Sequence, residues 1–125
     1  MKRSSRPSTA PQLQTATITG SISVAGGAGT ALVTLAAIIT RGKVLIIATC
    51  TITSSGTDDL ITFRIDRDGV NLLPDELEYV TVAKDATIIT ISVTDNPTQG
   101  SHIYRLEAAG GGTPTATNRT ISALY

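Results

Sequence analysis

The sequence contains no tryptophan, one cysteine and one histidine, and aromatic residues make up only 3% of it. Cys50 is the single cysteine, so it cannot form an internal disulfide. For the same reason cysteine-rich zinc or iron–sulfur sites are excluded. His102 stands next to Ser101, but neighbours in a strand point to opposite faces, which disfavours a catalytic pair. With few aromatic rings there is no obvious platform for stacking sugars. We therefore predict that the chain is not an enzyme and binds no cofactor or metal.

The charge balance excludes further classes. Ten basic and ten acidic residues give a formal net charge of zero, without the basic excess of a general nucleic-acid binder. Residues 31–50 are apolar but are interrupted at 41–43, so neither half is long enough to span a bilayer as a helix. The basic start, residues 1–3, is followed by polar residues, which excludes a secretory signal. We expect no nucleic-acid binding, no membrane insertion and no signal-dependent export.

What the sequence does contain is typical of strands. Threonine, isoleucine and valine are abundant, and these β-branched side chains favour a pleated sheet. From residue 16 onward the hydrophobic period is two, and glycines and prolines separate the runs at fairly regular spacing. An inward face is predicted for Ile61, Phe63 and Ile65, and shared faces are predicted for Val44, Ile46, Ala48, Cys50 and Ile52 and for Tyr104, Leu106 and Ala108. This pattern predicts an all-β jelly-roll sandwich of about eight or nine antiparallel strands.

Two strands have apolar side chains on both faces. Leu32 and Ile38 face away from their strand's main apolar face, and Leu45 and Ile47 do the same in the next strand. A strand that is apolar on both faces is covered on both, and in a small sandwich the second cover often comes from another subunit. We predict that these four side chains contribute to a subunit interface.

Two domain segments follow from the change in composition at residue 16. Residues 1–15 are rich in Ser, Thr, Pro and basic residues, which is typical of an extended segment. We predict that 1–15 is a connector arm and 16–125 is the jelly-roll domain. The arm residues expected to contact a neighbouring subunit are Lys2, Arg3, Arg6, Pro7, Pro11 and Leu13.

Acidic residues cluster between positions 66 and 78, as they do in some calcium sites. Asp66 to Gly69 begins like a helix–loop–helix calcium loop, but Asn71 and Leu77 stand where that loop requires glycine and glutamate. A calcium site using Asp75, Glu76 and Glu78 remains a less favoured alternative to a solvated loop. We expect Arg64, Asp66, Arg67 and Asp68 to form exposed ion pairs of small individual worth. Asn118-Arg119-Thr120 matches a glycosylation sequon, which has no meaning without a secretory route.

The C-terminal third resembles a known family. His102 to Ala108, a glycine-rich turn and Thr117 to Leu124 resemble the end of the tumour-necrosis-factor-like jelly rolls of bacterial exosporium and phage fibre proteins. The resemblance implies a compact homotrimer whose last strands run through the trimer core, which would add Tyr104 and Leu106 to the interface. Since the chain has no Gly-X-Y repeat, it is more similar to stacked subunits such as those of endospore appendages, in which an N-terminal arm docks on the next trimer.

These observations favour a structural subunit of an extracellular fibre on a spore surface or virion. Its predicted partner is itself, as a trimer stacked into a fibre, and an anchor or tip protein is an additional candidate. The alternative is a trimeric receptor- or glycan-binding tip, with loop residues near Asp58, Asp75 or Asn96 making the contact.

Overall fold

The computed structural model describes residues 11–24, 29–40, 42–54, 60–73, 77–80, 85–110 and 114–125. All regular elements in these ranges are strands, and all their pairings are antiparallel. They are β1 (Leu13–Ile18), β2 (Ile22–Ser23), β3 (Thr30–Ile39), β4 (Val44–Thr53), β5 (Leu60–Arg67), β6 (Val70–Asn71), β7 (Leu77–Val80), β8 (Ala86–Asp95), β9 (Gly100–Gly110) and β10 (Thr115–Leu124).

The strands form two five-stranded sheets. In the β10 sheet the order is β1-β10-β4-β8, with β2 also paired to β10; in the β9 sheet it is β3-β9-β5-β6, with β7 also paired to β5. If β1 with β2 and β6 with β7 are each counted as one interrupted strand, the ten strands occupy eight positions. The first position then pairs with the eighth, the second with the seventh, the third with the sixth and the fourth with the fifth. This nested pairing is a jelly roll, as predicted.

The core lies between the inner faces of the two sheets. Phe63 and Tyr104 are its largest fully buried side chains; the predicted inward face of β5 and the predicted shared faces of β4 and β9 are confirmed. Burying one such large apolar side chain contributes roughly 1.5–3 kcal/mol. The alternation is right because successive side chains of an extended strand point to opposite faces.

Three of the predicted interface residues lie in this core instead. Leu32, Tyr104 and Leu106 are at most 1% exposed, so their side chains are not available to another subunit. Tyr104 and Leu106 occupy the inner face of β9. Leu32 departs from alternation because the register of β3 shifts between Ala31 and Val33, and the resulting bulge buries both Leu32 and Val33. The prediction that these three residues form an interface is wrong.

The first strand begins before the predicted domain boundary at residue 16. Leu13 pairs with Leu124, and Pro11 is exposed just before the strand. Residues 13–15 therefore belong to the sheet, because they complete the pairing of β1 with the end of β10. Lys2, Arg3, Arg6 and Pro7 lie outside the described residues, and their role as connector contacts stays a prediction.

Candidate functional site

The outer face of the β10 sheet has an unusual composition. The strand registers place its side chains in rows that cross β1 or β2, β10, β4 and β8. None of these side chains carries a charge, and most end in a hydroxyl group. We call this surface the hydroxyl face; its residues are Leu13, Thr15, Thr17, Ser23, Leu45, Ile47, Thr49, Thr51, Thr53, Ala86, Ile88, Thr90, Ser92, Thr94, Thr115, Thr117, Thr120, Ser122 and Leu124.

One row of the hydroxyl face is largely apolar. Leu13 pairs with Leu124, and Leu124 pairs with Leu45, so three leucines lie side by side. Leu13 is 65% exposed and Leu124 is 37% exposed. In the adjacent row the hydroxyls of Thr15 and Ser122 lie 2.9 Å apart and form a hydrogen bond. The face thus combines an apolar strip with hydroxyl groups that both donate and accept hydrogen bonds.

The outer face of the β9 sheet is charged. Arg64 lies opposite Glu107, and Asp66 lies opposite Arg105, so two cross-strand pairs of opposite sign occupy its centre. A hydrogen bond with Asp66, together with burial, raises the pKa of Glu107. The expectation that Asp66 forms an exposed ion pair is wrong, because Asp66 is only 5% exposed.

The remaining predicted interface residues fall on different surfaces. Leu45 and Ile47 are half-buried on the hydroxyl face, so β4 has apolar side chains on both of its faces, as predicted. Ile38 is 62% exposed on the outer face of the other sheet, at the edge strand β3. The backbone of Ile38 accepts hydrogen bonds from Gln14 and Tyr125, which connects the edges of the two sheets. The three residues stay candidates, but they do not form one patch.

A second candidate, which we call the His102 junction, comprises Arg67, Asp68, Asp95, Thr98, His102 and Tyr104. The Nδ1 atom of His102 lies 2.7 Å from Oδ2 of Asp68, and Nε2 lies 2.6 Å from the carbonyl oxygen of Thr98. Asp68 and Gly69 both have positive φ angles, 52° and 86°, so they form a tight turn between β5 and β6. The junction therefore joins this turn, the β8–β9 connection and the start of β9.

In the buried half of the junction, the carboxylate of Asp95 has two side-chain partners. The hydroxyl of Tyr104 donates to Oδ2 of Asp95 at 2.8 Å, and Arg67 forms an ion pair with the same carboxylate. The hydrogen bond to Asp95 raises the pKa of Arg67, and burial, with the bond to Asp95, raises the pKa of Tyr104. Arg67 is thus paired across the sandwich rather than with its sequence neighbours.

Neither candidate has the geometry of a catalytic or metal site. Ser101 is exposed and lies on the opposite face of β9 from His102, as the alternation predicts. Burial raises the pKa of the Cys50 thiol to about 11, which disfavours a reactive thiolate. Among the described residues no group of three or more His, Cys, Asp or Glu could hold a metal ion, and no helix is long and apolar enough to cross a membrane.

Arg119 is a buried residue that sequence reasoning missed. Its guanidinium donates from Nη1 to the Leu32 carbonyl at 2.7 Å and from Nη2 to the Gly20 carbonyl at 3.1 Å. A register shift in β10 at Asn118, which has a φ of 47°, accompanies this inward position. The one signal in the sequence is Asn118 itself, because asparagine tolerates the positive φ angle that this bulge requires.

For the alternative tip function, Asn96 is exposed, whereas Asp58 and Asp75 lie outside the described residues, as does Glu76 of the calcium alternative. Glu78 is exposed on β7. The glycan-binding alternative and the calcium alternative therefore gain no support from the described geometry.

The fold is shared with viral capsid jelly-roll proteins. A chain of infectious bursal disease virus strain Gx has a TM-score of 0.63 and 15% identity, covering 91% of this chain and 33% of that one. A chain from the T13 viral particle of the same virus has a TM-score of 0.65 and 10% identity, covering 90% of this chain and 31% of that one. This chain thus spans about a third of their length. No protein-family model and no curated protein sequence matches it.

Proposed function

We propose that this chain is a non-enzymatic structural subunit that forms a homotrimer through its hydroxyl face and builds an extracellular fibre or shell. The observation that carries the proposal is the absence of charge from that face. A fold shared with viral capsid proteins supports a structural role on a virion. The resemblance to exosporium and fibre proteins supports the trimer, and the residues before β1 would connect one trimer to the next.

The chemistry of the hydroxyl face suits contact with a second copy. Subunit contacts bury their central residues, and charged groups are depleted there because removing a charge from water costs several kcal/mol. Threonine is branched at Cβ, so it has few rotamers to lose when it is ordered. Its hydroxyl can donate or accept, and therefore one part of the face can pair its polar groups with another part of the face on the next copy.

The hydroxyl face supplies part of the area that a trimer requires. Four strand positions about 4.8 Å apart and strands of ten residues at about 3.3 Å per residue give roughly 600 Å². Specific protein interfaces begin at about 1,200 Å² for both partners together, or about 600 Å² each. Each subunit of a ring-closed trimer contacts two neighbours through different patches, so the face would give roughly 300 Å² to each contact and adjoining surface would supply the rest.

The test compares two variants, each with one lysine introduced on the outer face of a different sheet. Thr49 lies at the centre of the hydroxyl face, and Thr62 is also half-buried but lies on the outer face of the β9 sheet, opposite Glu78. We expect the wild-type protein and Thr62→Lys to be trimers in sedimentation equilibrium. Thr49→Lys should be a folded monomer, because each interface would bury an unpaired ammonium group.

Each alternative result has a definite meaning. A wild-type protein that is monomeric at tens of micromolar would contradict self-assembly. Trimers that survive Thr49→Lys would show that another surface holds the subunits together. Circular dichroism of both lysine variants should overlay the wild-type spectrum, which separates dissociation from unfolding.

A further inference from the structure

The His102 side chain lies between two groups that can only accept hydrogen bonds. The carboxylate of Asp68 faces Nδ1 and the carbonyl of Thr98 faces Nε2, at 2.7 and 2.6 Å. We propose that His102 is a proton-operated switch: its protonated ring holds the Asp68–Gly69 turn and the β8–β9 connection together, and loss of the proton releases one of them. This inference does not depend on the proposed function.

The proton count follows from the chemistry of the two partners. A neutral imidazole has one N–H group and one bare nitrogen, whereas an imidazolium has two N–H groups. A bare nitrogen placed against a carboxylate or a carbonyl oxygen would bring two lone pairs together. Both short contacts are therefore satisfied at once only when the ring carries its second proton and a positive charge.

Asp68 transmits this state to the backbone of β9. Its Oδ1 accepts a hydrogen bond from the Ile103 amide at 2.8 Å, and the Asp68 amide donates to the Ile103 carbonyl at 2.8 Å. The carboxylate thus joins the turn to β9 through the backbone and to His102 through the side chain. When the ring loses its proton, at least one of its two bonds must break. The turn and the β8–β9 connection can then separate.

The charges around the ring favour the protonated form. Asp68 and Arg67 are the charged groups that face it in the described structure, and Arg67 is itself paired with Asp95. The hydrogen bond with Asp68 and that with Thr98 raise the pKa of His102, and the bond from His102 lowers the pKa of Asp68.

These directions define the pH range of the switch. A raised histidine pKa stabilises the fold below the unfolded value of about 6.5, and this contribution is lost as the pH rises through the folded value. A lowered aspartate pKa stabilises the fold above the unfolded value of about 3.9, and that contribution is lost as the pH falls through the folded value. The two contributions to stability are therefore both complete between about pH 4 and about pH 6.5. The junction opens as the pH rises further, through the raised pKa of His102.

Nuclear magnetic resonance of the full chain tests this directly. His102 is the single histidine, so its ring resonances need no further assignment. We expect its titration midpoint to lie above that of a histidine in a short peptide. Hydrogen-exchange protection of the Ile103 amide, corrected for the intrinsic pH dependence of exchange, should fall about tenfold across the same midpoint, the loss of about one hydrogen bond. Protection of the Ile121 amide in β10 should stay constant.

Two variants separate the switch from a merely structural contact. Asp68→Asn keeps a residue that tolerates positive φ and retains an oxygen for the Ile103 amide, but it removes the carboxylate. It should lower the midpoint of His102 toward the peptide value. His102→Gln should make Ile103 protection independent of pH. A wild-type midpoint at the peptide value, or an unchanged midpoint in Asp68→Asn, would overturn the proposal.

Discussion

The two sheets of the sandwich place their charges on opposite sides. The five strands of the β10 sheet contain two charged residues, Asp95 and Arg119, and both are buried. Strands β5, β7 and β9 of the other sheet instead present Arg64, Arg105 and Glu78 among other charges on their outer face. A sheet whose outer face meets water has no reason to exclude charge. This difference is the reason for assigning the proposed subunit contact to the hydroxyl face rather than to the outer face of the β9 sheet.

The largest expected effect concerns the inward charge of the β10 sheet. Arg119→Met leaves the buried Leu32 carbonyl without a donor, and we expect a loss of about 2 kcal/mol in the free energy of unfolding, measured in urea. The control is Arg105→Met on the outer face of the β9 sheet, where the side chain is 41% exposed. That change should cost less than about 1 kcal/mol. An Arg119→Met protein as stable as the wild type would mean that burying the guanidinium costs as much as its two bonds contribute.

An intermediate effect should distinguish the rim of the hydroxyl face from its centre. Thr90 is exposed on the edge strand β8, where a lysine can still reach water. We expect Thr90→Lys to weaken trimer formation about tenfold without abolishing it, because rim charges affect binding less than buried ones. Thr34→Lys, on the exposed edge strand of the other sheet, is the matched control. Equal weakening by both substitutions would contradict the assignment of the interface to one sheet.

The smallest effect concerns the carboxyl pair on the charged face. The raised pKa of Glu107 means that the folded protein retains this proton above the unfolded value of about 4.3, so stability falls as the pH rises through the folded value. Glu107→Gln removes this loss and should raise the stability at pH 7 by a few tenths of a kcal/mol. Thermal unfolding at pH 4 and pH 7 measures it. A Glu107→Gln protein whose stability changes with pH as that of the wild type does would contradict the assigned hydrogen bond between Glu107 and Asp66.

The alternation of side chains along the strands could be predicted from the sequence, whereas its exceptions could not. The grouping of the side chains of β4, β5 and β9 by face follows from a period of two. Leu32 did not follow it, because a bulge depends on how β3 pairs with β9, which lies far away in the sequence. Half of the hydroxyl face could have been read from β4 and β10, where threonines repeat at alternate positions. Its extent required the registers that bring β1, β10, β4 and β8 side by side.

The His102 junction shows the same division. His102 and the Asp68–Gly69 turn were both noticed in the sequence, but as separate features, because thirty-four positions separate the histidine from Asp68. In the sequence, Arg119 stands out only as the middle residue of a glycosylation sequon. The sequence by itself determined the fold class and which side chains of a regular strand share a face, because alternation along an extended chain is a local property. Only the tertiary structure decided which bulges break that rule and which distant polar groups meet, because strand pairing sets both.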